Sequence, residues 1–123
     1  MFDAVVLAGG SARRLGGLDK VMEPVGGHPM LEWALRACAA ARMTVVVGGK
    51  RDIGRSITWT MEDPPGGGPL AATAAGLRSL PHYPLVPVVV LAGDLPYVSS
   101  STVDRLLEAL DGWDAAILSD AGG

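Results

Sequence analysis

An α/β fold, Rossmann-like, with a mostly parallel sheet and helices on both faces, is predicted by three features of this sequence. Short apolar runs stop at glycine: residues 4–8 before Gly9-Gly10, 44–47 before Gly48-Gly49, and 88–92 before Gly93-Asp94. The runs are continuously apolar and rich in valine, the pattern of strands buried on both sides. Stretches with apolar residues at helical spacing separate them, so strand and helix alternate along the chain. With 123 residues, 49% hydrophobic and 19% charged, the chain is sized for one domain, 1–123, that can bury a core.

Each element has its own justification. The first strand covers residues 4–8. Pro29 can open a helix at its first turn, followed by Met30, Leu31, Ala34, Leu35, Cys38 and Ala41 at 3.6 spacing. The strand at 44–47 follows, then a shorter, more alternating one at 57–61. Pro69 opens a second helix with a stripe of Leu70, Thr73, Ala74, Leu77 and Leu80, ended by Pro81. The strand at 88–92 is the clearest. Ser101 can cap a third helix, with Val103, Leu106, Leu107 and Leu110 on its stripe and Gly112 just past its end. A last strand is expected at 115–118. The terminal Ser119-Asp120-Ala121-Gly122-Gly123 reads as the start of a loop, so this chain is expected to be only part of a longer fold.

Composition excludes several classes. A net charge of −3 and a pI near 5.2 argue against nucleic-acid binding through phosphate neutralisation. The single cysteine, Cys38, rules out an internal disulfide and any zinc site built on several cysteines. No apolar run reaches the roughly 18 residues of a membrane span. Asp3 leads directly into a strand, so no signal peptide is expected, and a reducing, cytoplasmic location follows.

The richest segment is Leu7-Ala8-Gly9-Gly10-Ser11-Ala12-Arg13-Arg14-Leu15-Gly16-Gly17-Leu18-Asp19-Lys20. It leaves the carboxyl end of a parallel strand, where open α/β sheets bind ligands. Glycines there let backbone N–H groups approach anionic oxygens, and Arg13, Arg14 and Lys20 add cations. A phosphate-bearing ligand is the expectation. Neither a P-loop nor a Gly-x-Gly-x-x-Gly fingerprint is present. About twenty residues separate the first strand from the Pro29 helix, a length usual for functional loops.

Residues 7–20 resemble the molybdenum-cofactor guanylyltransferase-like family of nucleotidyltransferases, through Leu7-Ala8-Gly9-Gly10, Arg14-Leu15-Gly16 and Asp19-Lys20. Leu15 stands where methionine is commoner. Gly26-Gly27-His28-Pro29-Met30-Leu31, Glu62-Asp63 with Gly68-Pro69-Leu70, and Gly93-Asp94-Leu95-Pro96-Tyr97 are similar to the family's later motifs, in the same order.

The resemblance implies transfer of GMP from GTP to molybdopterin, with Mg²⁺ and release of pyrophosphate. It makes Lys20 and Arg14 the catalytic cations on the phosphates, with Arg13 a weaker candidate, and Asp94 the metal ligand. Leu7, Ala8, Gly9 and Gly10 would hold the purine, with Asp63 and Gly68, Pro69 and Leu70 near the nucleoside. Asp94 also follows an apolar strand directly, which aims a hard oxygen ligand at the same crevice if the two strands are neighbours. A cytidylyltransferase, another small-molecule nucleotidyltransferase, or a non-catalytic nucleotide-binding module remain alternatives. The family has a further metal ligand and acceptor contacts later in its sequence, and Asp120 is not assigned either role. The chain to Gly123 is therefore expected to bind nucleotide but turn over poorly.

The remaining polar and aromatic residues are read plainly. Lys50 and Arg51 are expected to be solvated. His28 and His82 are structural or surface residues, Trp33, Trp59 and Trp113 core or rim aromatics, and Cys38 a small buried hydrophobe.

Overall fold

A computed structural model describes residues 1–9 and 19–116. Its elements are β1 (Asp3–Gly9), a 3-10 turn (Lys20–Met22), β2 (Pro24–Val25), β3 (His28–Pro29), α1 (Met30–Ala37), β4 (Thr44–Gly48), β5 (Thr58–Thr60), α2 (Gly68–Arg78), β6 (Val88–Ala92) and α3 (Ser100–Ala109). The main sheet is parallel throughout, in the order β5-β4-β1-β6. Val6 lies level with Val46 on one side and Leu91 on the other, and Val5 with Val45 and Val90.

Strand alternation then sorts the core into two layers. Ala4, Val6, Val46, Val89 and Leu91 pack with Leu31, Ala34 and Leu35 of α1 and Val103 of α3. Val5, Val45 and Val47 pack with Ala72 and Ala75 of α2 and with Leu80. Helices thus pack on both faces, and β1 and β4 are buried on both, but β6, last in the sheet order, leaves Val88 and Val90 exposed, so burial on both sides fails there. No helix among the described residues is long and apolar enough to cross a membrane.

Five local expectations are corrected. The stretch before α1 is not wholly loop: β2 and β3 pair antiparallel around Gly26 (φ 59) and Gly27 (φ 86). A two-residue hairpin turn needs that left-handed backbone at both central positions, which a glycine pair allows. Helix α1 ends at Ala37, with Cys38 as its C-cap, so Ala41 packs from the following loop.

The stripe on α2 is also different. Leu70 is 84% and Leu77 41% exposed, while Ala72, Ala75 and Gly76 are buried. The helix approaches the sheet so closely that a Cβ on Gly76 would stand 2.5 Å from Val5 Cγ1. Only small residues fit that contact, and the leucines turn outward. Finally, α3 starts at Ser100 with Ser99 as its N-cap, and Ala115 and Ala116 belong to no strand. The rest of the strand expected at 115–118 lies outside the described residues.

Candidate active site

The sheet order places β1 between β4 and β6, so the segments following these three strands leave the same edge side by side. At that edge Gly9 pairs with Gly48, and the Gly93 N–H donates to the Leu7 carbonyl at 2.8 Å. The neighbour relation that the role of Asp94 required is therefore present.

Lys20 opens the 3-10 turn, which the Asp19 carbonyl starts by accepting the Met22 N–H at 3.0 Å. Its Nζ reaches Asp94 Oδ2 at 3.4 Å, with the lysine side chain 75% and the aspartate 37% exposed. So exposed a pair adds little to stability. It leaves a cation and a carboxylate side by side, open to a ligand at the strand ends.

The loop carrying Asp94 is held from the far side by aromatic packing. Tyr97 has a left-handed backbone (φ 59) and packs tilted against Trp33, with ring centroids 5.1 Å apart and planes at 57°. The Trp33 indole N–H donates to the Val25 carbonyl at 2.7 Å, and His28 meets the same indole edge-on. The β2–β3 hairpin and the Asp94 loop thus brace one another through α1. His28 also pairs with Glu32 at 2.9 Å, in keeping with a structural role.

The other expected site residues divide into groups. Leu7, Ala8 and Gly9 form the end of β1, beside Lys20 and Asp94 in the fold. Gly10, Arg13 and Arg14 lie outside the described residues. Gly68, Pro69 and Leu70 begin α2 at the same edge of the sheet, on its other face. Asp63 is exposed beyond β5, three strand spacings from β6, about 14 Å at the usual separation. Its neighbour Glu62 is the buried acid, at 7% exposure.

Arg51 is a correction. Its side chain is only 10% exposed and grips Asp19 with both arms, Nε to Oδ2 at 2.8 Å and Nη2 to Oδ1 at 3.0 Å. Lys50 is exposed as expected. Sequence reasoning missed the burial of both Glu62 and Arg51. For Arg51 a signal was present: it follows a strand ending in Gly48-Gly49, but its meaning depends on β4 lying beside β1.

Backbone glycines, a lysine and a carboxylate thus converge at the carboxyl edge of a parallel sheet, where open α/β domains take their ligands. Residues 4–123 match the family described as the MobA-like NTP transferase domain, and the chain belongs to that family of nucleotidyltransferases. It is 31% identical to a probable molybdenum cofactor guanylyltransferase of Natronomonas pharaonis, over 92% of this chain and 59% of that protein. A bifunctional protein GlmU of Chromobacterium violaceum is 35% identical over 97% of this chain but 28% of its own length. Among solved structures, a hypothetical transferase from Thermus thermophilus superposes with a TM-score of 0.68 at 30% identity, over 87% of this chain and 46% of that one. The chain spans about three-fifths of the length of the curated guanylyltransferases it matches.

Proposed function

We propose that the chain is the nucleotide-binding part of a Mg²⁺-dependent guanylyltransferase that transfers GMP from GTP to molybdopterin. The observation that carries this reading is the Lys20–Asp94 pair, 3.4 Å apart where β1 and β6 end together. Curated relatives named as molybdenum cofactor guanylyltransferases, at about 30% identity over more than nine-tenths of the chain, support the choice of nucleotide and acceptor. A cytoplasmic location belongs to the same reading.

In the reaction, a phosphate oxygen of the acceptor bonds to the α-phosphorus of GTP. The bond from that phosphorus to the bridging oxygen breaks, and pyrophosphate leaves with the electron pair. Lys20, with Arg14 and Arg13, would hold the negative charge of the triphosphate; fixed cations stabilise charge as it moves to the leaving group. Leu7, Ala8, Gly9 and Gly10 would offer backbone groups to the purine, with Asp63 and Gly68, Pro69 and Leu70 bordering the nucleoside.

Asp94 supplies one hard, partly exposed oxygen donor. No group of three or more His, Cys, Asp or Glu side chains among the described residues could hold a metal. That donor set fits Mg²⁺, which takes one or two carboxylates and completes its shell with phosphate oxygens and water. When bound, the ion would neutralise triphosphate charge.

A second reading changes nucleotide and acceptor while keeping the site. Curated relatives at similar identity do not all carry the guanylyltransferase name: a bifunctional protein GlmU is 35% identical. Melting curves with GTP, CTP, ATP and UTP, with and without Mg²⁺, separate the two. GTP with Mg²⁺ should stabilise most, by about 2.7 kcal/mol at a hundredfold excess over Kd. Equal shifts, or a preference for another nucleotide, would remove the guanine assignment. Lys20→Ala should lose the GTP shift while folding normally, since its side chain is largely exposed. An unchanged shift would remove Lys20 from the phosphates.

A further inference from the structure

The guanidinium of Arg51 touches three segments of chain at once. It grips the Asp19 carboxylate with both arms, donates from Nη1 to the Gly49 carbonyl at 2.8 Å, and directs Nη2 to the Gly9 carbonyl at 3.5 Å. Gly9 ends β1, Gly49 follows β4, and Asp19 stands immediately before Lys20.

An independent feature makes room for this arrangement. Gly48 has φ +143, and a Cβ there would stand 2.8 Å from the Gly9 carbonyl oxygen and 2.9 Å from Arg51 Nη1. The backbone at this point is one that glycine adopts and other residues avoid. The end of β4 is therefore shaped around the seat of the guanidinium.

We propose that Arg51 is a positioning residue, which clasps Asp19 and thereby sets the Lys20 turn against Asp94. The proposal rests on the reading of Lys20 as a phosphate-binding lysine. The chain of contacts is continuous. Arg51 fixes the Asp19 side chain, the Asp19 carbonyl accepts the Met22 N–H, and the turn so formed carries Lys20 to within 3.4 Å of Asp94. A planar fork matched to a carboxylate fixes orientation as well as distance, which a point charge on a flexible stem does not. With its charge already spent on Asp19, Arg51 is not itself a phosphate ligand.

The test compares wild type, Arg51→Lys, Arg51→Ala, Asp19→Asn and the double variant Arg51→Lys/Asp19→Asn by two measurements. Hydrogen exchange at the Met22 and Glu23 amides reports the turn without any nucleotide. Each single variant should exchange about tenfold faster there, and the double variant no faster than either of its single substitutions. Titration with GTP and Mg²⁺ should show weaker binding by about tenfold in each single variant, with no further loss in the double.

Unchanged exchange in all the single variants overturns the clasp, whatever nucleotide does. Faster exchange with wild-type GTP affinity overturns its service to Lys20. Tighter GTP binding by Asp19→Asn, or wild-type affinity in Arg51→Lys beside a loss in Arg51→Ala, would make Arg51 a direct phosphate contact and overturn the proposal. Should wild type bind none of the four triphosphates, the proposed function fails, and the exchange measurement decides the clasp alone.

Discussion

Two arginine–aspartate pairs sit at opposite ends of the same sheet. At the amino end Arg42 grips Asp3, Nε to Oδ1 at 3.0 Å and Nη2 to Oδ2 at 2.7 Å, and donates to the Pro84 carbonyl. At the carboxyl end Arg51 grips Asp19 with nearly the same geometry. Their surroundings differ. The Asp3 side chain is 2% exposed, that of Asp19 26%. A buried carboxylate that loses its partner is left uncompensated, whereas a partly exposed one is reached by water. The same chemistry therefore serves the fold at one end and the site at the other.

The strongest way to break this contrast is Arg42→Met. It leaves the Asp3 carboxylate buried without its guanidinium and should lower the melting temperature on the order of 10 °C. Adding Asp3→Leu should restore much of the loss, since an apolar pair of similar volume needs no partner. GTP affinity of the folded protein should not change. A melting temperature within error of wild type, read by circular dichroism, would mean that the amino-end pair is no more structural than the other.

Cys38, also at the amino end, supplies a smaller effect. Burial pushes its thiol up to about 11 from the ordinary 9.0. The unfolded chain then ionises first, so stability is complete below about pH 9 and falls as pH rises towards 11, by about 2 kcal/mol at most. Urea midpoints at pH 8 and 10.5 should fall less for Cys38→Ala than for wild type. Equal falls would place the thiol in contact with water.

The smallest change is Gly76→Ala, midway between the two ends. Its methyl would meet Val5 and Val47, at 2.5 and 3.1 Å in the unrelaxed structure. Overpacking of about 1–3 kcal/mol, less about 1 kcal/mol of improved helix propensity, leaves a net loss of about 1 kcal/mol. Nucleotide binding should be unaffected. A stabilised variant would show that α2 can move off the sheet.

Much of the architecture was legible because strands buried on both faces need no partner to be recognised. Residues 4–8 and 44–47 carry their burial in composition alone, whereas 88–92 has the same composition but ends the described sheet, with Val88 and Val90 37% and 40% exposed. The stripe of α2 was not legible, because leucine at helical spacing looks like a core face, whereas the closeness of Gly76 to Val5 turned the helix the other way. Lys20 and Asp94 could be singled out from motifs, the one closing the glycine-rich basic segment, the other following an apolar run. The burial of Arg51 and Glu62 could not be read in this way. A charged residue after a glycine pair reads as solvated until the neighbouring strand is known, and of two adjacent acids the sequence does not say which points inward.

By itself, then, the sequence determined the parallel α/β class, where its main strands end, and the residue types that follow those ends. Those properties follow from local patterning, which each segment carries alone. Only the tertiary structure decided that β1 lies between β4 and β6. From that order come the approach of Lys20 to Asp94, the clasp of Arg51 on Asp19, and the burial of Asp3 beneath Arg42. Such contacts join residues 32 to 74 positions apart. Their energies depend on the water excluded around them, which no short stretch of sequence records.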